Sequence, residues 1–85
     1  MAKVKMYTTA TCVYCRAEKE FFKTHGVEFE EVAVDTDSKA ADEMIQLSGQ
    51  MGVPFTVITP SEADAKPVYV LGFDQPKLRS ALGIA

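Results

Sequence analysis

The 85-residue chain reads as an α/β fold in the order β-α-β-α-β-β-α, a four-stranded mixed sheet flanked by three helices. Three observations lead there. Short β-branched and aromatic runs alternate with stretches of helical periodicity, the pattern of strands joined through helices. The last two β runs are separated only by the turn-prone Pro60 to Lys66 segment, so they close as an antiparallel hairpin. The first two are separated by a helix, and a right-handed crossover of that kind makes its strands parallel.

Val4 and Met6, with the flanking Lys3, Lys5 and Tyr7, form the first strand, which ends in the turn-prone Thr8 to Thr11. Neither Gly nor Pro interrupts Cys12 to Thr24. Within that helix Ala17, Phe21 and Phe22 make an inward face, Arg16, Glu18, Lys19 and Lys23 a wet one, and Gly26 is the stop. Phe29, Val32 and Val34 mark the second strand. Asp35-Thr36-Asp37-Ser38 then caps a helix with Ala41, Met44, Ile45 and Ser48 on one side, ended by Gly49 and Gly52. Phe55 to Thr59 and Val68 to Leu71 are the hairpin strands. Asp74 caps a last helix, with Pro76 in its first turn and Leu78 and Leu82 one turn apart.

A chain of 85 residues has room for one domain, 1–85, around a single core. Its 47% apolar and 25% charged residues are ordinary for a globular protein and exclude a disordered one. A formal net charge of −3 argues against binding phosphate backbones or anionic lipid, so neither nucleic acid nor membrane is an expected partner. No apolar stretch approaches the roughly 20 residues that cross a bilayer. The N-terminus lacks the apolar core of an export signal, and two cysteines cannot make the framework of a secreted mini-protein. A monomer in the cytoplasm is the expectation.

The chemistry lies in Cys12 and Cys15. An i, i+3 pair on the first helical turn shares one face, at a Cα separation of about 5 to 6 Å that suits a disulfide. At the helix N-terminus, unpaired N–H groups and the positive dipole end favour the Cys12 thiolate, which makes Cys12 the nucleophile. Cys15, one turn in and more shielded, is the resolving thiol that releases product from a mixed disulfide on Cys12. Zinc also uses this spacing, but it needs four ligands and the one histidine, His25, lies about three turns along the helix. No metal is expected. A purely structural disulfide is a weak alternative, since so short a loop constrains the unfolded chain little.

Other motifs carry less. Pro54 stands before a β run, where a residue without an N–H is tolerated, and by base rate its peptide bond is trans. His25 reads as a helix-end charge, and Asp35 and Asp37 as caps, because no calcium-loop glycine or closing glutamate follows. Met44, Met51 and the phenylalanines sit at core spacings.

Tyr7-Thr8-Thr9-Ala10-Thr11-Cys12-Val13-Tyr14-Cys15, Gly52-Val53-Pro54 and Gly72-Phe73-Asp74 together resemble the glutaredoxin-like branch of the thioredoxin superfamily. Ser48 to Pro54 with Val70 to Asp74 look most like the small YruB-type redoxins, relatives of the glutaredoxins and of NrdH-type redoxins. The resemblance implies a thioredoxin-like fold, a cis Pro54, and a Val53 backbone that faces the sulfurs and pairs with a substrate main chain. It also implies that Tyr14 flanks bound glutathione, with Gly72 and Asp74 at its γ-glutamyl end. Asp74 serves equally well as a helix cap. Val13 replaces the proline of the usual motif, Thr9 stands where many glutaredoxins have lysine, and Phe73 replaces a second glycine.

The function expected is reduction of protein or mixed disulfides through the dithiol. No cofactor is bound, and glutathione or a flavoprotein such as thioredoxin reductase is the external electron donor. The rival is a carrier in which two chains and glutathione hold a [2Fe–2S] cluster, as some glutaredoxin relatives do.

Overall fold

A computed structural model describes residues 3–50, 52–60 and 66–84. The elements run β1 (Lys3–Thr8), α1 (Val13–Thr24), β2 (Glu30–Ala33), α2 (Ser38–Ser48), β3 (Phe55–Thr59), β4 (Val68–Leu71) and α3 (Gln75–Leu82). This is the expected order. The sheet order is β2-β1-β3-β4, with β1 parallel to β2, and β3 antiparallel to both β1 and β4. The crossover through α1 and the closing hairpin therefore do what their connections require. Residues 61–65 of the expected hairpin turn, and Met51, lie outside the described residues.

Alternation along the strands splits the core into two layers. Val4 and Met6 of β1, Ile58 of β3 and Val70 of β4 meet Cys15, Phe21 and Phe22 of α1 and Leu78 of α3. On the other face Tyr7 and Phe55 meet Ala40 and Met44 of α2. The sheet is thus covered by α1 and α3 on one side and by α2 on the other. Ala40, not Ala41, is the small residue at the α2 contact: Ala40 and Met44 are buried one turn apart, while Ala41, Ile45 and Ser48 lie at the margin.

The helix ends are specified locally. Asp37 Oδ1 accepts from the N–H groups of Lys39 and Ala40, and Gly49 closes α2 in the left-handed region at φ 75°. Asp35 has a different task from the capping expected of it. Its Oδ2 accepts the N–H of Ala10 at 3.0 Å, tying the β2–α2 connection to the loop that precedes Cys12.

Candidate active site

The loop Thr9 to Thr11 leaves the end of β1 and delivers Cys12 to the start of α1. Cys12 is the N-cap, with extended backbone, and its Sγ accepts the Cys15 N–H at 3.0 Å. One of the orphan amides of the helix start therefore points at this sulfur, as the dipole argument requires. Cys12 and Cys15 are joined as a disulfide, with Cα atoms 5.2 Å apart. Cys12 is half-buried and Cys15 is 1% exposed, so a partner reaches the first sulfur and not the second. Between them Val13 and Tyr14 are 73% and 66% exposed. Their side chains make no core contact and form an apolar rim beside the reachable sulfur.

Val53 and Pro54 form the approach to β3. The Val53–Pro54 peptide bond is cis, Pro54 is fully buried, and the Val53 side chain packs against both core layers. Cys12, Cys15 and Val53 share the α1-side layer, which brings this loop and the cysteine pair to one end of the sheet. Among the described residues, the N–H and C=O of Val53 meet no hydrogen-bond partner.

Gly72 and Asp74 are held to the same region from β4. The Gly72 N–H donates to the Pro54 carbonyl at 2.8 Å, and Gly72 takes φ 74°, where a side chain is strained. Phe73 is partly buried against the α1 layer and meets Phe21 edge-on at 5.9 Å. Asp74 caps α3, its Oδ1 accepting the Lys77 N–H at 3.3 Å. Tyr14, like Gly72 and Asp74, joins neither core layer.

Two clefts border this end of the molecule. One, of about 420 Å³, lies between the Thr9–Ala10 loop, Arg16, Lys19 and Asp35; the other, of about 340 Å³, lies between Leu47, Tyr69, Leu71, Asp74 and Lys77. A third cleft, about 510 Å³ beside Lys3, Lys5 and Glu28, contains none of the expected site residues. The cysteine geometry, and not cavity size, locates the chemistry.

Two acidic residues have shifted carboxyls. Glu31 accepts from the Thr8 hydroxyl at 2.9 Å and from Lys19 Nζ at 3.0 Å, and these bonds, Lys19 first, hold its carboxyl below the usual range. Glu18 corrects the expectation: it is fully buried, not on the wet face of α1. Cys15, Glu18 and Phe22 fall at i, i+3 and i+7, so the periodicity that places Phe22 inward places Glu18 there too. The Thr56 hydroxyl donates to Glu18 Oε2, while Oε1 has no partner among the described residues. Desolvation raises the Glu18 carboxyl to about 7, against the opposing pull of the Thr56 bond.

A dithiol on the first turn of α1, set against a mixed sheet of this topology, places the chain among the thioredoxin-fold thiol–disulfide oxidoreductases. The glutaredoxin family model matches residues 4–60, and the chain belongs to the glutaredoxin family. It is 43% identical over 51 residues to an uncharacterized glutaredoxin-like 8.6 kDa protein in the rubredoxin operon of Clostridium pasteurianum, covering 60% of this chain and 68% of that one. Among solved structures it resembles a glutaredoxin from Archaeoglobus fulgidus, with TM-score 0.77, 31% identity and coverage of 96% and 87% of the two chains. It also resembles the glutaredoxin-like NrdH-redoxin of Escherichia coli, with TM-score 0.68, 26% identity and coverage of 91% and 92%. The matched stretches span 61 to 68% of the curated relatives' length. Among the described residues no helix is long and apolar enough to cross a membrane.

Proposed function

We propose that the chain reduces disulfides of proteins, or mixed disulfides, by dithiol exchange in the cytoplasm, acting as a monomer. The observation that carries this is the asymmetry of the pair: an accessible Cys12 sulfur bonded to a helix-start amide, with Cys15 buried beneath it. In the reduced protein the Cys15 N–H stabilises a Cys12 thiolate. That thiolate attacks the substrate disulfide; one sulfur leaves as thiolate and the other stays bonded to Cys12. Cys15 then attacks Cys12 Sγ, closes the intramolecular disulfide and releases the second substrate thiolate.

The N–H and C=O of Val53, without a hydrogen-bond partner among the described residues, suit pairing with an extended substrate main chain, a recognition mode tolerant of sequence. Exposed Tyr14 is placed to lie along the substrate or glutathione. Because the Gly72 N–H is occupied by Pro54, the backbone amides left to bind a γ-glutamyl carboxylate there are those of Phe73 and Asp74 at the start of α3. Electrons come from glutathione or from a flavoprotein such as thioredoxin reductase, and no resident cofactor takes part.

The test is NADPH oxidation with a small disulfide substrate at catalytic protein, run once with glutathione plus glutathione reductase and once with thioredoxin reductase. Turnover in one arm that vanishes in Cys12→Ser supports the reading and identifies the donor. Full activity in Cys12→Ser refutes it.

A further inference from the structure

Glu18 has no role in the exchange described above, yet a fully buried carboxyl with an unbonded oxygen is costly to keep. Its position relates it to the resolving cysteine. Residues three apart on a helix are neighbours, with Cβ atoms about 5 to 6 Å apart. A long helical side chain leans toward the preceding turn, and for Glu18 that turn carries Cys15. Both side chains are sealed from solvent, Cys15 at 1% and Glu18 at 0% exposure, so no bulk water is available to take a proton from Cys15.

The surroundings leave Glu18 free to serve. From β3 the Thr56 hydroxyl holds one oxygen, Oε2. In the sheet register Thr56 stands between Met6 of β1 and Val70 of β4, and Leu78 is the buried residue of α3 on this side. None of these three titrates. On α1 the one thiol at i−3 is Cys15, while the Lys19–Glu31 ion pair lies on the exposed side of the helix. No charged side chain among the described residues contributes to the raised Glu18 carboxyl, whose causes are desolvation and Thr56. Among the described residues Oε1 is therefore an acceptor with no partner in the disulfide form, in which Cys15 has no proton to give.

We propose that Glu18 is the proton acceptor for Cys15 in the resolving step. The inference rests on the reading that Cys15 resolves a mixed disulfide on Cys12. As the Cys15 sulfur bonds to Cys12 Sγ, its S–H proton passes to Glu18 Oε1, directly or through one water. The bond from Cys12 Sγ to the substrate sulfur breaks, and its electron pair leaves on the substrate thiolate. The cysteine pair is oxidised, the substrate reduced, and Glu18 becomes the neutral acid. When the external thiol reductant later attacks Cys12 Sγ, Cys15 leaves as thiolate and Glu18 returns the proton.

Stopped-flow mixing of reduced protein with one equivalent of a nitrobenzoate disulfide tests this, because each step frees one coloured thiolate. Wild type gives two releases, the first from Cys12 attack and the second from resolution; Cys15→Ser gives only the first. Glu18→Gln, which keeps an oxygen for Thr56, shows a first release of wild-type rate. Its second release is about a hundredfold slower or more at neutral pH, the usual range for losing a general base, and recovers once pH is high enough to ionise Cys15 unaided. Superimposable second releases at every pH overturn the Glu18 assignment alone. Absence of the first release in wild type removes the exchange reading itself, and this inference with it. Carbon NMR of reduced wild type gives a check independent of any variant: the Glu18 carboxyl and the Cys15 Cβ show shared titration steps. Two unconnected midpoints overturn the proposal.

Discussion

Replacing Glu18 by glutamine changes how stability depends on pH, and the direction follows from burial. In the unfolded chain the carboxyl titrates near 4.5, whereas the folded one is pushed up to about 7 by desolvation. Between these values the native state holds a proton that the unfolded state has released, so unfolding free energy falls as pH rises. The stability linked to this proton is complete below the unfolded value and lost as pH climbs through about 7. At about 1.4 kcal/mol for each pH unit between the two, the loss comes to roughly 3 kcal/mol. A glutamine at this position cannot ionise but still offers an oxygen to Thr56, so the variant escapes this loss while carrying a pH-independent cost for its buried amide N–H groups. Urea unfolding of the disulfide forms at about pH 5 and about pH 8 reads the difference. Wild type should lose roughly 3 kcal/mol relative to Glu18→Gln, a relative midpoint shift of about 1 to 3 M for an ordinary urea slope. Parallel pH profiles for the two proteins would refute the argument, whatever part Glu18 plays in exchange.

Asp37→Ala removes the side chain that bonds the Lys39 and Ala40 amides and should cost about 1 kcal/mol, seen as a lower urea midpoint with unchanged slope. Gly49→Ala forces a side chain into the left-handed region at φ 75° and should cost about 1 kcal/mol in the same measurement, although no neighbour stands within 4 Å of the added carbon. Phe22→Ala empties a fully buried site and should cost about 3 to 5 kcal/mol. Lys19→Gln breaks a part-exposed ion pair and should cost under about 1 kcal/mol near neutral pH. Because Glu31 titrates below its usual 4.5, that stability is present above this value and fades as pH falls through the lowered one, which pH-dependent melts of the two proteins compare.

Fold and cysteine pair are legible in the sequence because their signals are local. The hairpin strands Phe55–Thr59 and Val68–Leu71 match the expected runs residue for residue, since β-branched stretches bounded by turn residues leave little freedom. The Asp74 cap and the amphipathic pair Leu78 and Leu82 are equally readable. What sequence misses depends on contacts between distant segments. The charge of Glu18 assigns it to solvent, although its spacing from Cys15 and Phe22 points inward; its partner Thr56 lies 38 residues away. Asp35 looks like a cap because it precedes a helix, yet its carboxylate serves an amide 25 residues earlier. The cis Val53–Pro54 bond runs against the base rate, and family resemblance alone anticipates it.

The bond from the Cys15 amide to Cys12 Sγ belongs to the main chain, which every amino acid but proline supplies. No side-chain substitution at Val13 or Tyr14 deletes that donor so long as the helix still begins there. The amide that faces the sulfur and the two side chains exposed beside it are thereby separate parts of the same four residues, the first backbone and the second outward side chains. The surface beside the sulfur can therefore change at those two positions while the amide that faces it is inherited intact.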